Sequence, residues 1–340
     1  MSRSLLLPTL AVTGLFLASC GADNDTTENS SSEGYPISID NCGREVTVDE
    51  PIERAVSLNQ GITEILLAMG QEDRVVGSAT WTDPVREDLA DANDDIPRLA
   101  ENNASLETVL AEDPDFVAAS FYNTLSETGS GSPEQYEDLG VPAYLAYTEC
   151  TKSSYANTDG ARDEQLTWDS IYHDISDLGT LFDVQDDSTA LIDELEQRVA
   201  DASEASAAPD TTVAFWFADS EAPYMAGGVG APQLIADSLE LTNVFADSTE
   251  EWPQMSWEAI AAEDPDVLVI GDLTRDSVTA ESAEAKIEYL KNHPVASQMT
   301  AVQEERFVLV AGADMNPSIR TVDGIEKVSE GLEEFNLTDG

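Results

Sequence analysis

Two carboxylates, Glu107 and Glu258, occupy matching positions in a stretch of sequence that nearly repeats itself. One copy reads SLETVLAEDPDFVAAS from residue 105, and the other reads SWEAIAAEDPDVLVIG from residue 256. In each copy a serine takes the N-cap position of a helical pattern, and the glutamate falls in the first turn, near the positive end of the helix. A carboxylate there projects past the helix and can form charge-assisted pairs with a cationic partner. Helix capping alone also explains both glutamates, because a proline ends each helix before an apolar strand.

No catalytic motif stands out elsewhere. The chain has no Gly-x-Ser-x-Gly, no His-Glu-x-x-His and no phosphate-binding glycine loop, and spacing singles out no Ser, His and Asp set. AGGVGA at 226–231 lacks the spacing of a nucleotide fingerprint and fits a turn with close backbone approach. We therefore predict that the protein is not an enzyme. An exported hydrolase and a receptor lipoprotein without transport are the alternatives.

The two histidines, His173 and His293, fall on or beside predicted helices and do not form a cluster. A histidine site for bare zinc or manganese is therefore disfavoured, as is haem bound through a histidine. A tyrosine ligand to haem remains an alternative. We predict no resident metal and no cofactor.

The N-terminus has the pattern of an exported lipoprotein. Residues 1–19 carry one early cation and then an apolar stretch, which is typical of a secretory signal peptide and too short to stay as a membrane anchor. Cys20 follows Leu-Ala-Ser and resembles the lipidated cysteine of the bacterial lipobox, although an ordinary cleaved signal is the alternative. Residues 20–34 are polar and acidic and read as a flexible linker. We predict an extracytoplasmic protein, anchored by lipid to the outer face of the cell membrane.

The charge is strongly acidic, with 68 Asp and Glu against 15 Lys and Arg and a formal net charge of −53. Nucleic-acid binding is excluded because no basic stripe exists to neutralise phosphates. The acidity fits solubility in a salty medium, where screening weakens self-repulsion.

Two further cysteines, Cys42 and Cys150, lie in the predicted mature chain. In an exported protein they indicate one disulfide, which would close a loop of about 108 residues and contribute roughly 4–5 kcal/mol in the chain-entropy model. Two unpaired thiols are the alternative.

Apolar strands alternate with short helices on both sides of a helical centre, which predicts an α/β fold with mainly parallel sheets. After a hairpin at 35–48, the expected N-terminal strands are 55–58, 74–79, 116–120 and 143–147, with helices at 61–70, 105–112 and 132–140. The expected C-terminal strands are 212–217, 266–271 and 306–312, with helices at 231–239, 283–292 and 319–335. We predict an N-terminal lobe at 35–165, a helical connector at 166–209 and a C-terminal lobe at 210–340. Within the connector, helix 186–205 is expected to join the lobes.

These features resemble a known family. RAVSLNQGITEILLAMGQEDRVVGSA (54–79), the paired glutamate helices and WPQMSWEAIAAEDPDVLVIG (252–271) are similar to the substrate-binding proteins of ABC importers for iron complexes and cobalamin. The resemblance covers 50–335 and implies two Rossmann-like lobes joined by one long rigid helix, with the ligand held in the cleft. It also implies that Glu107 and Glu258 dock into arginine pockets of a membrane permease that works with an ATPase. We expect a monomer.

Ligand contacts in such a fold come from loops at the carboxyl ends of the strands, including the segments at 121–123, 147–149, 250–254 and 312–320. The residues in these loops that we expect to contact the ligand are Trp81, Phe121, Tyr122, Tyr224, Trp252, Asp314 and Arg320. Trp252 matches a family position that faces the ligand. Asp314 and Arg320 could fix a polar edge of the ligand, or could equally pair at a helix N-terminus or form a turn.

The expected ligand is a metal complex. Only Arg98, Arg320 and Arg275 lie near the predicted rim, and catecholate or carboxylate siderophores need several cleft arginines. The aromatic loops suit a hydroxamate-type ferric siderophore or a corrinoid better, and we favour the iron complex.

Overall fold

The computed structural model describes residues 34–155, 160–204, 207–274 and 281–338. The predicted signal peptide, Cys20 and Arg275 lie outside these residues. Within them, no helix combines the length and the apolar character needed to cross a membrane.

The N-terminal lobe contains a hairpin and a parallel sheet with the strand order β5-β4-β3-β6-β7. Its elements in chain order are β1 (Ile37–Asn41), β2 (Arg44–Val48), β3 (Ala55–Ser57), α1 (Gln60–Ala68), β4 (Val75–Ala79), α2 (Ala90–Asn93), β5 (Arg98–Ala100), α3 (Leu106–Leu110), β6 (Phe116–Ala119), α4 (Pro133–Glu137), β7 (Ala143–Leu145) and α5 (Tyr147–Cys150). The central strands are short apolar runs buried on both faces, as expected for a parallel sheet covered by helices.

The central segment contains two antiparallel helices that both span the lobes. Its elements are β8 (Lys152–Ser154), β9 (Ala161–Arg162), α6 (Trp168–Leu181) and α7 (Gln185–Ala202). Leu191 and Leu195 of α7 pack in the N-terminal core, Val199, one turn further on, packs against both cores, and Ala202 packs against the C-terminal core. Helix α7 therefore occupies the place predicted for the long connector. Helix α6 runs antiparallel beside it, with Trp168 packed against both cores and Leu178 buried in the N-terminal core.

The C-terminal lobe has a second parallel sheet, in the order β11-β10-β12-β13. Its elements are β10 (Thr212–Trp216), α8 (Ala231–Ser238), β11 (Thr242–Asn243), α9 (Trp257–Glu263), β12 (Val267–Asp272), α10 (Ala283–Asn292), α11 (Thr300–Gln303), β13 (Phe307–Ala311) and α12 (Arg320–Glu334). Together the two sheets confirm the predicted α/β class. One predicted detail is wrong, because 147–149 is not a cleft loop but lies in α5, directly after β7.

The predicted hairpin covers one edge of the N-terminal sheet. Its turn places Cys42 and Gly43 at positive φ, and Cys42 forms a disulfide with Cys150 in α5. The side chain of Asn41 exchanges two hydrogen bonds with the backbone of Leu145, at 2.7 and 2.9 Å. These bonds satisfy polar groups that β7 would otherwise leave open at the sheet edge.

The repeated stretch forms the same helix start and stop in both lobes. The hydroxyls of Ser105 and Ser256 each accept a first-turn N–H at 3.2 Å, from Thr108 in α3 and from Ala259 in α9. After each helix the chain passes through an aspartate with positive φ, Asp113 or Asp264, immediately before the proline. The proline disfavours the helical conformation in the residue before it, so the chain turns there into β6 or towards β12.

Both sheets reverse their direction of growth beside their first strand. In the N-terminal sheet the reversal lies between β3 and β6, and in the C-terminal sheet it lies between β10 and β12. In open α/β sheets, ligands bind outside the carboxyl ends of the strands at such a point. The two lobes therefore have their natural binding positions at these strand ends.

Candidate functional site

A cavity of about 340 Å³ lies between the lobes, at the carboxyl ends of the strands. Loops after β4 and β6 contribute one side, and loops after β10 and β13 contribute the other. The lining residues are Thr80, Thr82, Phe121, Phe217, Ala218, Tyr224, Gly230, Ala231, Glu251, Trp252, Met315, Asn316 and Pro317. Its size lies at the lower end of the range of small-molecule sites.

An aromatic wall forms the C-terminal side of the cavity. The rings of Phe217 and Trp252 lie 5.0 Å apart at 46°, and Tyr224 lines the cavity with them. Phe217 N–H donates to the carbonyl of Tyr224, while Tyr224 N–H donates to the carbonyl of Ala218. These backbone bonds fold the loop after β10 into a short hairpin, which fixes the direction of the wall.

The glycine run at 226–231 holds the loop that carries Trp252. Gly227 N–H donates to the carbonyl of Glu251 at 2.9 Å, and Gly228 N–H donates to the carbonyl of Ser248 at 2.9 Å. A Cβ on Gly227 would lie 2.0 Å from the carbonyl oxygen of Glu250, closer than any side chain allows. The predicted close backbone approach is confirmed, and it brings two chain segments together behind the aromatic wall.

The lining includes one carboxylate, and buried cations neutralise it. Glu251 contacts Arg162 Nε at 2.5 Å and Lys152 Nζ at 3.0 Å, and Lys152 also contacts Glu149 at 2.5 Å. Burial raises the pKa of Glu149, and the neighbouring Lys152 lowers it in part. The cluster joins α5 of the N-terminal lobe to the loop before Trp252, and it leaves no net charge at the cavity wall.

Lysine, arginine and histidine are absent from the cavity lining formed by the described residues. Its polar side chains include the hydroxyl-bearing Thr80, Thr82 and Tyr224, the amide of Asn316 and the ion-paired Glu251. The arrangement can hold a largely apolar ligand surface without net charge, through ring contacts and a few hydrogen bonds.

Three of the predicted ligand residues line this cavity, namely Phe121, Tyr224 and Trp252. Trp81 does not. It is buried, its indole N–H donates to Ser78 Oγ at 3.2 Å, and the guanidinium of Arg98 lies 4.6 Å from its ring. The polar indole edge and the cation together hold Trp81 away from the cavity.

Tyr122 is also placed elsewhere. Its ring stacks on Tyr155 at 4.0 Å and lines a separate cavity of about 580 Å³ beside Cys42. Its backbone N–H donates to Glu149 Oε2 at 2.9 Å, so the main chain turns the ring away from Phe121.

The predicted pair of Asp314 and Arg320 is internal and does not line the interlobe cavity. Arg320 contacts Asp314 at 2.8 Å and Glu64 of α1 at 3.2 Å, and Lys327 contacts Asp314 at 2.6 Å. Asp314 is fully buried. These contacts correspond to the alternative of pairing at a helix N-terminus, because Arg320 opens α12 and ties it to α1.

Sequence reasoning missed Phe217, Met315 and Glu251. The sequence pattern places Phe217 at the end of the expected strand 212–217, and it places Glu251 and Met315 in the expected cleft loops 250–254 and 312–320. The residue directly after a strand is the first of its loop, and this signal could have identified Phe217.

Glu107 and Glu258 are both exposed at the starts of α3 and α9. Backbone hydrogen bonding at the helix start and the hydroxyl of Ser105 hold the pKa of Glu107 below its usual value. The carboxylate is therefore charged at neutral pH and free to meet a cationic surface.

Comparison with known proteins gives a family match over most of the chain. A family model described as periplasmic binding protein matches residues 56–312. An uncharacterised ABC transporter substrate-binding lipoprotein of Bacillus subtilis is 24% identical over 97% of this chain and 97% of its own length. A vitamin B12-binding protein of Vibrio parahaemolyticus is 27% identical over 65% of this chain and 71% of its own length.

Solved structures share the fold. The structure of an ABC-type Fe3+-hydroxamate transport system from Saccharomonospora viridis is 27% identical, with a TM-score of 0.70. The similarity covers 88% of this chain and 99% of that one.

Proposed function

The chain belongs to the periplasmic binding protein family, and from this premise we propose that it is the extracytoplasmic solute-binding component of an ABC importer. It captures a ferric siderophore, of the hydroxamate type, and delivers it to a membrane permease with an associated ATPase. The observation that carries the proposal is the interlobe cavity, which combines an aromatic wall with a lining in which no described residue is a lysine, arginine or histidine.

Charge favours a hydroxamate complex over other siderophores. A tris-hydroxamate complex of Fe3+ has no net charge in its first shell, because the hydroxamate charges balance the metal. A tris-catecholate complex is strongly anionic and would need cationic partners in a dry cavity. The cations nearest the wall, Lys152 and Arg162, already contact Glu251 and Glu149. A neutral complex therefore fits the cavity best.

Delivery uses the two exposed carboxylates on separate lobes. Glu107 and Glu258 begin equivalent helices, so a permease with two cationic pockets can bind one on each lobe. The acidic linker and lipidated Cys20 would keep the protein at the membrane surface, within reach of that permease.

A corrinoid is the second candidate. One relative is named as a vitamin B12-binding protein, and an uncharged aromatic wall can also hold the edge of a corrin ring. Haem bound through Tyr224 is a third occupant to include in a test, because that tyrosine lines the cavity.

Native mass spectrometry against a ligand panel tests the proposal. The panel contains a ferric trihydroxamate, a ferric tris-catecholate, cyanocobalamin and haemin. We expect a one-to-one complex with the trihydroxamate below about 10 μM and none with the catecholate. Binding of cyanocobalamin alone would support the second candidate, whereas no binding to any member would overturn the proposal.

A further inference from the structure

The interlobe cavity continues into a small polar recess where the two lobes meet. The recess measures about 40 Å³ and shares Thr80, Thr82, Phe121, Asn316 and Pro317 with the larger cavity. Its deeper wall contains Ser120, which follows β6, and Ser318, which precedes α12. No acidic or basic residue of the described chain lines it. A recess of this size accepts a water molecule or the tip of a ligand.

Two buried hydroxyls enter the recess with their donors unused. Ser120 is 6% exposed, and its Oγ accepts from Ile62 N–H at 3.2 Å. Ser318 is 3% exposed, and its Oγ accepts from Arg320 N–H at 3.1 Å. Neither hydroxyl donates to any atom of the described residues. Each hydroxyl can also donate one hydrogen bond, so both O–H groups remain available to a bound ligand.

The backbone contributes a further hydrogen-bond donor to the recess. The N–H of Gly61, in the first turn of α1, has no acceptor among the residues that the structure describes. A Cβ on Gly61 would lie 3.1 Å from Ser120 Oγ and 3.2 Å from Ser318 Cβ, so this position suits glycine. Helices α1 and α12 both begin at the recess, and their N-terminal ends carry partial positive charge.

The two serines are held in place before any ligand arrives. Ser120 N–H donates to Asn59 Oδ1 at 2.9 Å, and Ser318 N–H donates to Thr321 Oγ1 at 3.3 Å. Asn59 is itself buried and donates to Thr124 Oγ1 at 3.1 Å. A rigid set of donors loses little freedom on binding, which favours an acceptor of fixed geometry.

We propose that this recess is a subsite for an oxygen acceptor of the ligand, of the hydroxamate or amide carbonyl class. Ser120 and Ser318 determine the specificity, and Gly61 keeps the space open. The identity of the whole ligand rests on the proposed function, but the donor set is a property of the recess itself. Ser318 precedes the first turn of α12, which packs in the N-terminal core, so one bound oxygen would join this turn to the end of β6.

A fragment titration tests the recess without the siderophore. Acetohydroxamic acid, up to about 100 mM, is added to the 15N-labelled protein, and the amide signals of Gly61 and Ser120 are followed by NMR. We expect saturable shifts of both signals, with at least about 10-fold weaker binding in the S120A/S318A double variant. A recess that holds ordered water only would show no shift in the native protein, and this result would overturn the proposal.

A second test of the recess measures the affinity of single serine variants for a siderophore. Each of S120A and S318A should weaken binding of a ferric trihydroxamate about 3- to 10-fold, because one hydrogen bond is lost. The matched control is S329A, which removes a buried hydroxyl that donates to Ala202 at 3.0 Å, far from the recess. Unchanged affinity in both recess variants would overturn the subsite while leaving the proposed function intact. Fragment binding without any trihydroxamate binding would support the subsite and contradict the proposed function.

Discussion

At the scale of single residues, the direction of a side chain separates Trp252 from Trp81. Both are tryptophans in loops after strands, and the sequence predicts both as ligand contacts. Trp252 is held in the wall by bonds from the glycine run, whereas Trp81 lies under Arg98. Those partners are distant in sequence or depend on a turn, so loop position alone cannot show which way a side chain faces.

The same limit applies to Asp314 and Arg320. Their spacing allowed a ligand contact, a turn or an internal pair. The deciding partner, Glu64, is more than two hundred residues away. Long-range pairing of this kind has no local signature.

The paired glutamates give the first prediction. Reversing the charge at both positions (E107K/E258K) should abolish uptake, because like charges would then face each other at the permease. Ligand affinity should stay within about twofold of the native value. Uptake into cells or proteoliposomes and calorimetric affinity measure the two effects. Normal uptake by the double variant would exclude the docking role.

Asp174 gives a pH-dependent prediction. Burial raises its pKa to about 7, against about 4 in an unfolded chain, and its carboxylate accepts from Tyr144 Oη at 2.7 Å. Between these values the folded protein holds a proton that the unfolded chain has released. Stability from this group is therefore fully present below about pH 4 and is lost as the pH rises through 7.

Comparison of the native protein with D174N isolates this effect, since Asn cannot titrate. From pH 4 to 7 the stability of the native protein should fall relative to D174N by on the order of 2–4 kcal/mol. Urea unfolding at several pH values measures the difference. Parallel profiles would show that Asp174 titrates normally.

At the scale of elements, each lobe contains an equivalent unit: a short helix, a proline that ends it and a buried strand. Short apolar runs and proline stops predict the hairpin, the inner strands of both sheets and the longer helices, including α10 over 283–292 with its observed ends, but not the short edge strands β5 and β11. Helix α5 was missed because AYLAYTEC continues the apolar pattern beyond the end of β7. Tertiary contact ends that strand, since Tyr147 N–H donates to Asp174 Oδ1 at 2.5 Å.

The disulfide gives the element-scale prediction. Cys42 and Cys150 tie the edge hairpin to α5 and close a loop of 108 residues. The C42S/C150S variant should lose about 4–5 kcal/mol of unfolding free energy, because the unfolded chain gains loop entropy. Guanidinium unfolding under non-reducing conditions measures the loss. A change below about 1 kcal/mol would contradict the prediction, and reduction should leave the unfolding of the variant unaltered.

At the scale of the whole molecule, the few lysines and arginines interact with other groups of the same chain. Each lysine and arginine that the structure describes contacts a carboxylate, a carbonyl or an aromatic ring. Lys286, for example, is fully buried and donates to the carbonyl of Glu281 at 2.9 Å. The surface is therefore dominated by unbalanced carboxylates.

Salt should stabilise this protein. Raising KCl from 0.1 M to 2 M shortens the screening distance from about 10 Å to below about 3 Å, which weakens repulsion among surface carboxylates. Tm should rise by at least about 5 °C, as measured by calorimetry. Sorbitol at equal osmolality is the control for solvent exclusion. A Tm that stays constant or falls with KCl would contradict the account.

The central claim is that a neutral metal complex binds against the aromatic wall between the lobes. Isothermal titration of a ferric trihydroxamate into the native protein, W252A and W81A tests it most directly. We predict one site with Kd below about 10 μM, at least about 10-fold weaker binding in W252A, and affinity within about twofold of native in W81A. Absence of binding to the native protein, or equal affinity in W252A, would contradict the claim.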